Sequence, residues 1–511
     1  MNTPCPQMKD LSFDHFWRTT FCAAGFLLAC LLPAGSALAG AQPLKPCRVA
    51  GIKTEVQCGV LSRALDPAQP NGTRIDVHYV VVPALARRKR ADPIFFLAGG
   101  PGQSAIKVAP LVSQQFSRLN NRRDLVFVDQ RGTGRSAPLV CEDQRSAPMA
   151  GKLDNVQREA ATAQCLAQLK KLPYGDLRHF TTVHAMQDLD AVREALGASQ
   201  INLIGASYGT RAALEYMRQF PAAVRRSVLD GVAPPDMVLP LSISGDGQTA
   251  LEALLLACEK EAACAKMHPN LRAEWGQLLA SLPQTVRLAQ PLTGQIETLQ
   301  MTREAVLSLV RLPLYSPLTS SALPWALSEA AKGRWEALMG LGFSASPSGA
   351  ADLAMGMHFS VICAEDVPRM KNTTQAPAAD FGSDFARSYE RICAGWPRSE
   401  VPAGFYAIPV ARSAVLLLSG GIDPVTPPRH ALRVAQALGA KARHVVVANA
   451  GHGVMMLPCM RDVMLRFIDA EDDTRAAAVD SSCAARVPRP GAFVPVGQSQ
   501  SVVNTRPGAA P

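Results

Sequence analysis

The stretch that decides the fold of this chain is residues 201–209, Ile-Asn-Leu-Ile-Gly-Ala-Ser-Tyr-Gly. Residues 201–204 form an apolar run typical of a short buried strand, and a stretch compatible with a helix follows the final glycine. Between them Ser207 stands with Gly205 before it and Gly209 after it, as required at a turn too tight for flanking side chains. Such a turn holds the serine hydroxyl above the edge of the sheet, so we predict that Ser207 is a nucleophile.

Two later strand ends supply the partners that such a serine needs. The apolar run 414–418 predicts a buried strand that leads into Asp423, and the run 444–448 predicts another that leads into His452. In folds that place a nucleophilic serine on a turn between a strand and a helix, an acid and then a histidine follow later in the chain, each beyond a further strand. The remaining histidines beyond the first forty residues lie in strand patterns or come too early: His78, His179, His184, His268, His358, His430 and His444. We therefore predict Asp423 and His452 as the acid and the base.

An early strand opens into a glycine-rich loop. Residues 93–97 predict the strand, and Ala98-Gly99-Gly100-Pro101-Gly102 follows it. Glycines let the backbone approach a substrate carbonyl, so we expect the N–H groups of Gly100 and Tyr208 to form an oxyanion hole.

A further strand, predicted over 125–128, ends in Asp129-Gln130-Arg131-Gly132-Thr133-Gly134. We interpret Asp129 and Arg131 as structural residues that tie neighbouring loops together. A direct contact with substrate is the less favoured alternative.

In combination these motifs resemble the serine peptidases that include proline iminopeptidases and the secreted tripeptidyl aminopeptidases, within the α/β-hydrolase superfamily. The family's His-Gly-Gly-Pro-Gly appears here as residues 98–102, followed by the Asp-Gln-Arg-Gly-x-Gly motif, the turn at Ser207 and the late Asp423 and His452. The loop around Asp423 and the helix after it resemble the tripeptidyl branch in particular. Ala98 replaces the motif's histidine, which puts loop geometry and substrate preference in question. The resemblance covers roughly residues 75–235 and 400–465.

The resemblance implies an α/β-hydrolase fold, a mostly parallel sheet flanked by helices, and an exopeptidase acting on free peptide N-termini. Such a site needs an anion for the substrate ammonium, and we nominate Glu365 first and Asp366 second, beside Cys363. A solvated acidic turn is an equally open reading of this pair. The rival activity is that of a carboxylesterase on small esters. A noncatalytic binding protein is disfavoured because all three triad positions are filled.

The order of predicted strands indicates an inserted domain. We expect core segments at 40–235 and 401–487, a mostly helical cap at 236–400, and a mobile tail at 488–511. Helix-like patterns in the cap cover 248–258, 271–279, 303–309 and 323–338.

The amino terminus predicts export. Residues 1–39 combine Lys9 and Arg18 with an apolar run over 19–32 and end in Ala37-Leu38-Ala39, the pattern of a cleaved signal peptide. A lipoprotein site at Cys30 is a less favoured alternative. We expect a periplasmic or secreted protein with no stable membrane insertion after signal removal.

The cysteines beyond the leader form an even set, which suggests disulfides in an exported chain. Pairing neighbours in order gives five short closures, although sequence leaves the connectivity open; the ten residues are Cys47, Cys58, Cys141, Cys165, Cys258, Cys264, Cys363, Cys393, Cys459 and Cys483. Because no Cys-x-x-Cys pair or histidine cluster has ligand spacing, we expect no metal and no cofactor.

The formal net charge of +10 is dispersed apart from residues 87–90, Arg-Arg-Lys-Arg, and aromatic residues make up only 6% of the chain. We interpret that cluster as a solvated loop and expect no nucleic acid partner. The expected partner is a peptide with a free N-terminus, and the oligomeric state is left open.

Overall fold

A computed structural model describes residues 43–141, 148–290, 293–344, 353–373 and 377–495. The predicted signal peptide, its three cysteines and the last part of the predicted tail lie outside the described residues.

One large sheet organises the described chain, and a separate hairpin accompanies it. The sheet has the strand order β1-β2-β3-β5-β4-β6-β7-β10-β11, while β8 and β9 pair only with each other. The strands are β1 (Lys45–Cys47), β2 (Val56–Ala64), β3 (Arg74–Val82), β4 (Ile94–Leu97), β5 (Leu125–Val128), β6 (Ile201–Ala206), β7 (Val224–Asp230), β8 (Gln284–Ala289), β9 (Ile296–Met301), β10 (Val415–Gly420) and β11 (Ala442–Val447).

The sheet changes character along its width. The pairs that join β1, β2, β3 and β5 are antiparallel, and every pair from β5 across to β11 is parallel. Parallel strands bring their carboxyl ends to one edge, where ligands and catalytic groups meet in open α/β sheets. This is the mostly parallel α/β architecture that the sequence predicts.

Helices cover both faces of the sheet. The described α-helices are α1 (Ala105–Gln115), α2 (Ser117–Asn120), α3 (Met149–Leu153), α4 (Asn155–Leu169), α5 (Thr182–Ala195), α6 (Tyr208–Gln219), α7 (Leu239–Lys260), α8 (Ala262–Met267), α9 (Leu271–Ala280), α10 (Arg303–Arg311), α11 (Pro317–Ser320), α12 (Leu323–Ala331), α13 (Glu336–Ser344), α14 (Met355–Glu365), α15 (Val367–Met370), α16 (Asp384–Ala394), α17 (Pro428–Leu438), α18 (Pro458–Asp469) and α19 (Asp473–Ala477).

Alternation along the buried strands divides the core into two layers. In β4, Phe96 packs with α1 and α18, whereas Phe95 packs on the opposite face with α5, α6 and α17. Strands buried on both faces read as continuous apolar runs, which is why their sequences predicted them well.

The segment between β7 and β10 carries α7 to α16 and has its own apolar cluster. Helices are present over each predicted stretch, but residues 323–338 form two helices, because Gly333 adopts a positive φ of 81° after α12 and ends it. The hairpin of β8 and β9 was not predicted. Helices α3 and α4 also join this region, since α4 packs on α14 and α16, and α3 packs on β9. We call α3, α4 and the segment from α7 to α16 the cap.

Five disulfides connect neighbouring cysteines in sequence order, which confirms the predicted set of short closures. The pairs are Cys47–Cys58, Cys141–Cys165, Cys258–Cys264, Cys363–Cys393 and Cys459–Cys483. They fasten the edge strands, the cap helices and the C-terminal segment, each of which packs away from the centre of the sheet.

The described start of the predicted tail is anchored rather than free. The N–H of Phe493 donates to the carbonyl of Ser321 at 3.0 Å, and its ring lies 5.4 Å from that of Trp325. An apolar contact therefore holds a segment whose polar composition predicted mobility.

Two further expectations concern the surface. Residues 87–90 lie exposed in a loop, as predicted. In the described ranges, every helix is too short or too polar to cross a bilayer.

Candidate active site

Ser207 occupies a strained turn between β6 and α6. Its φ of 54° and ψ of −123° fall in a region that residues with side chains rarely adopt. The N–H of Ser207 donates to the carbonyl of Asp230 at 2.8 Å, and its own carbonyl accepts from both the N–H and the hydroxyl of Thr210. These bonds hold the turn at the carboxyl end of β6.

The flanking glycines are sterically required. A Cβ on Gly205 would lie 2.5 Å from the carbonyl oxygen of Gly209, and a Cβ on Gly209 would lie 2.1 Å from that of Leu97. Any side chain at either position would push the turn away from β4, so the Gly-x-Ser-x-Gly pattern follows from close backbone approach.

Asp423 and His452 form a hydrogen-bonded pair beyond β10 and β11. Asp423 Oδ2 accepts from His452 Nδ1 at 2.7 Å, and Oδ1 accepts from the N–H groups of Val425 and Thr426 at 2.8 and 2.9 Å. The Thr426 hydroxyl also donates to Asp423 Oδ2 at 2.7 Å. Because an ionised carboxylate only accepts, Nδ1 carries the imidazole proton and Nε2 is left as the basic nitrogen.

Asp423 and His452 shift each other's pKa in opposite directions. Burial opposes the charged forms of both groups, but the attraction between them holds the pKa of Asp423 below its usual range and raises the pKa of His452 above its usual range. Asp423 is 1% exposed and His452 is 16% exposed. The acid is therefore enclosed, while the base keeps a small exposed surface.

The end of β7 brings the serine and the histidine loops together. Asp230 binds the Ser207 N–H through its carbonyl, and its carboxylate accepts from the N–H groups of Val454 and Met455, which follow His452. A Cβ on the next residue, Gly231, would lie 3.0 Å from His452 Cε1. Burial raises the pKa of Asp230 to about 6. Asp230 thus connects the serine loop to the histidine loop. The sequence analysis did not identify this residue, although its place at a strand end could have indicated it.

The glycine-rich loop after β4 lies against the serine. A Cβ on Gly99 would lie 3.2 Å from Ser207 Cβ, so the backbone that carries Gly100 approaches the nucleophile closely. Tyr208 is the first residue of α6, where a backbone N–H has no earlier helical turn to bind. The loop is oriented by Gln103, whose Oε1 accepts from the Gly99 N–H at 3.2 Å, and not by a side chain at Ala98.

Asp129 and Arg131 tie loops together, as interpreted from the sequence. Asp129 Oδ1 accepts from the Ser104 hydroxyl at 2.6 Å, which fixes the cap of α1 just after the glycine-rich loop. Arg131 binds Asp188 on α5 through Nε and Nη2 at 2.8 and 3.0 Å. Both side chains are 1% exposed.

The cap touches the site at two points that the sequence did not reveal. The Tyr315 carbonyl accepts from the His452 N–H at 2.8 Å, and the Tyr315 ring meets the imidazole edge-on with centroids 5.3 Å apart. On the other side, His358 Nδ1 lies 3.1 Å from the carbonyl oxygen of Pro101 in the glycine-rich loop. No local motif marks either residue, because both act through the tertiary packing of the cap.

Glu365 and Asp366 lie together but away from any open surface. Their side chains are 0% exposed. Asp366 binds the Arg211 guanidinium in a bidentate manner at 2.9 and 3.2 Å, and also accepts from the Leu239 N–H. Glu365 accepts from the N–H and the hydroxyl of Thr182 at 2.7 and 2.9 Å, and burial raises its pKa to about 7. As the structure stands, neither carboxylate has surface for a substrate ammonium, and the contacts favour a supporting role.

The Glu365 network ends at the nucleophile turn. The Tyr208 hydroxyl lies 2.6 Å from the Thr182 hydroxyl. Since the Thr182 hydroxyl donates to Glu365, it accepts from Tyr208, so one chain of hydrogen bonds runs from the cap to the residue after Ser207.

Two family models match this chain. The α/β-hydrolase fold model matches residues 92–250, and a model described as TAP-like protein matches residues 376–483. Together with the sheet and the turn at Ser207, the first match shows that the described chain has the α/β-hydrolase fold. Residues 376–483 are similar to the TAP-like family.

Relatives with curated names share modest identity with the chain. A tripeptidyl aminopeptidase of Streptomyces lividans is 32% identical over 193 residues, which cover 35% of this chain and 36% of that enzyme. The serine protease Hip1 of Mycobacterium tuberculosis is 27% identical over 354 residues, 64% of this chain and 68% of Hip1. A Mycobacterium tuberculosis protein named carboxylesterase B is 27% identical over 445 residues, 75% of this chain and 78% of the relative.

Proposed function

We propose that this protein is an exported serine exopeptidase, an aminopeptidase of tripeptidyl or prolyl type, that cleaves peptides from a free N-terminus through an acyl-enzyme. The observation that carries the proposal is the meeting of the strained Ser207 turn and the Asp423–His452 pair at Asp230 and Gly231. The names of the Streptomyces and Hip1 relatives favour peptides as substrates.

In the proposed mechanism His452 Nε2 takes the hydroxyl proton as Ser207 attacks the scissile carbonyl. Asp423 fixes the tautomer and stabilises the imidazolium that forms. The N–H groups of Gly100 and Tyr208 receive the oxyanion, and His452 then gives its proton to the leaving nitrogen. Water resolves the acyl-enzyme by the same route in reverse.

An aminopeptidase needs an anionic group for the substrate ammonium. A carboxylate that binds an ammonium must present surface in the cleft, which Glu365 and Asp366 lack. We propose instead that Glu365 positions Tyr208 through Thr182, and that Asp366 neutralises Arg211 behind α6. Substrate-induced opening of the Thr182 contact would restore the anchor role, and the variant Glu365→Gln separates the two.

A second candidate activity is that of a carboxylesterase on small esters. The observation that favours it is the match to the protein named carboxylesterase B, which covers 75% of this chain. The same triad performs both reactions, because each passes through an acyl-enzyme.

A panel of substrates decides between these activities. The purified protein is assayed on arylamides of one to four residues, each with a free and with an acetylated N-terminus, and on acetyl and butyryl esters. We expect the highest kcat/KM on a free tripeptide arylamide or on one that presents proline, and a large loss on acetylation. Fast turnover of esters with no turnover of any peptide would refute the peptidase and support the esterase.

Export is part of the proposal. Five disulfides in the described chain favour an oxidising compartment, since thiols stay reduced in the cytosol. Mass determination of the protein purified from the producing cell's exterior or periplasm tests it, with cleavage after Ala39 as the expected result.

A further inference from the structure

A cluster of basic and aromatic side chains lies between the candidate site and three cap helices. It consists of Arg158 on α4, Arg311 at the end of α10, Tyr315 just beyond, and Phe385 and Tyr389 on α16. The Arg311 guanidinium carbon lies 4.8 Å from the Phe385 ring centroid, and the Phe385 and Tyr389 rings are 5.0 Å apart. Stacking on an aromatic face fixes the guanidinium plane while leaving its N–H groups free to bind.

The cluster borders the reacting groups on both sides. At one end Tyr315 holds His452 through its carbonyl and its ring. At the other, the Tyr389 hydroxyl lies 2.8 Å from His358 Nε2, and His358 Nδ1 lies 3.1 Å from the carbonyl of Pro101. Burial lowers the pKa of His358 to about 4, so the ring is neutral and links Tyr389 to the glycine-rich loop without adding charge.

The described residues supply no ion-pair partner for either guanidinium of the cluster. No carboxylate of the described residues forms an ion pair or a hydrogen bond with Arg311 or Arg158, and the Arg158 guanidinium binds only the amide oxygen of Asn155. The two nearby acids are engaged elsewhere, Asp154 at the cap of α4 and Glu159 with Arg391.

Arg158 and Arg311 also repel each other. Arg158 is exposed, while loss of solvation, followed by the charge of Arg311, lowers its pKa, so the two guanidinium groups lie close enough to interact. Arg311 acts on Tyr315 and Tyr389 as well: burial raises the pKa of each phenol, and the guanidinium opposes that rise. Arg311 is partly buried on the Phe385 ring and has no carboxylate partner among the described residues, so binding an anion there would be favourable.

We propose that Arg311, assisted by Arg158, binds a carboxylate of the peptide on the leaving side of the scissile bond. The side follows from chemistry, because His452 gives its proton to the leaving nitrogen and Tyr315, four residues after Arg311, stands against His452. The proposal rests on the proposed peptidase function. It implies a preference for short peptides whose free C-terminal carboxylate, or an acidic side chain, lies just beyond the cleaved bond.

The test compares matched peptides on the purified mature protein. Three tetrapeptides share their first three residues and end in alanine acid, alanine amide or glutamate amide. We expect kcat/KM to be about tenfold higher for at least one carboxylate peptide than for alanine amide, the size of one charge-assisted contact. Preference for alanine acid identifies the main-chain carboxylate, and preference for glutamate amide identifies the side chain.

Two variants connect the preference to the cluster. Arg311→Met keeps an apolar side chain on Phe385 and should reduce the kcat/KM ratio of carboxylate peptide to alanine amide to about one. Arg311→Lys should keep part of that preference. Arg443→Met is the charge-matched control, since Arg443 is exposed near the amino end of β11, opposite the catalytic edge, and should leave the ratio unchanged. The wild-type preference should also fall as salt increases.

The outcomes separate this inference from the proposed function. A wild-type protein that cleaves all three peptides equally, or an Arg311→Met variant that keeps the full preference, would overturn the carboxylate site and leave the peptidase standing. A wild-type protein that cleaves none of them but hydrolyses esters would overturn the peptidase. If Arg311→Met does not fold, the wild-type ratio of kcat/KM between the carboxylate peptides and alanine amide, together with its salt dependence, still tests the carboxylate site.

Discussion

The core side and the cap side of the cleft are built in different ways. On the core side, Asp423 and Asp230 sit at strand ends with every carboxylate oxygen bound by a side chain or by backbone N–H groups. On the cap side, Tyr315 and Arg311 reach the cleft from helices that depend on packing far from the sheet. Under the proposed function, the core fixes the chemistry and the cap selects which peptide reaches it.

The largest effect should come from the core. Ser207→Ala removes the hydroxyl that forms the acyl-enzyme, so we expect a loss of several orders of magnitude in kcat, with roughly 10³ to 10⁴ over water remaining from the oxyanion hole and binding. The thermal unfolding temperature should be unchanged or slightly higher. Near-normal turnover in the purified variant would remove the basis for assigning the chemistry to the core.

Asp423→Asn should be the next most damaging change. The amide favours the wrong tautomer of His452, and a loss of about 10⁴ in kcat is expected. The pH profile provides a second readout. His452 must be neutral to act, and Asp423 raises its pKa, so the acid limb of the activity should lie at higher pH than for an ordinary histidine. In Asp423→Asn the remaining acid limb should move to lower pH. An unchanged limb would mean that another group controls it.

The disulfides allow a comparison of stability between the two regions. The bridges at the core edges, Cys47–Cys58 and Cys459–Cys483, are partly exposed, whereas Cys258–Cys264 and Cys363–Cys393 in the cap are buried. We expect mild reduction without denaturant to open the core-edge bridges first, each loss costing about 2 to 4 kcal/mol of stability.

Alkylation followed by peptide mass spectrometry identifies the bridges in order of opening, and thermal melts follow the loss. The native protein should carry no more than a trace of free thiol. Several free thiols per chain in exported material, or cap bridges that open first, would contradict the burial seen here.

The smallest expected loss of activity comes from a change in the cap. Glu365→Gln weakens the chain through Thr182 to Tyr208, so kcat/KM should fall by about tenfold on peptides and acetyl ester alike. A loss confined to peptides with a free N-terminus would show instead that Glu365 binds the substrate ammonium. Tyr406→Phe is a suitable control, because among the described residues its hydroxyl donates to the Glu365 backbone carbonyl and not to the carboxylate.

Local sequence predicted the core strands and the cap helices, but not the hairpin or the contacts of the cap. The predicted strand 414–418 is found at Val415–Gly420, and the glycines around Ser207 stand where backbone atoms leave no room for a side chain. These features depend on neighbours in sequence and on burial on both faces, which composition records directly.

The cap depends on contacts between distant segments. Glu365 contacts Thr182, and Tyr315 contacts His452, each across more than one hundred positions in the sequence. The position of Arg311 on Phe385, away from any described carboxylate, depends on the same packing of the cap. The family resemblance and the adjacent acids beside Cys363 led to the predicted anchor at Glu365, and only the tertiary arrangement shows that its oxygens are already bound.

Covalent trapping of the nucleophile tests the central claim most directly. The purified protein is treated with a slow-reacting aryl phosphonate, digested, and the modified peptide is sequenced by mass spectrometry, with Ser207→Ala and Asp423→Asn treated alongside. The account predicts a single adduct on Ser207, absent from Ser207→Ala and formed far more slowly in Asp423→Asn. An adduct on another residue, or one that forms equally fast without Asp423, would contradict it.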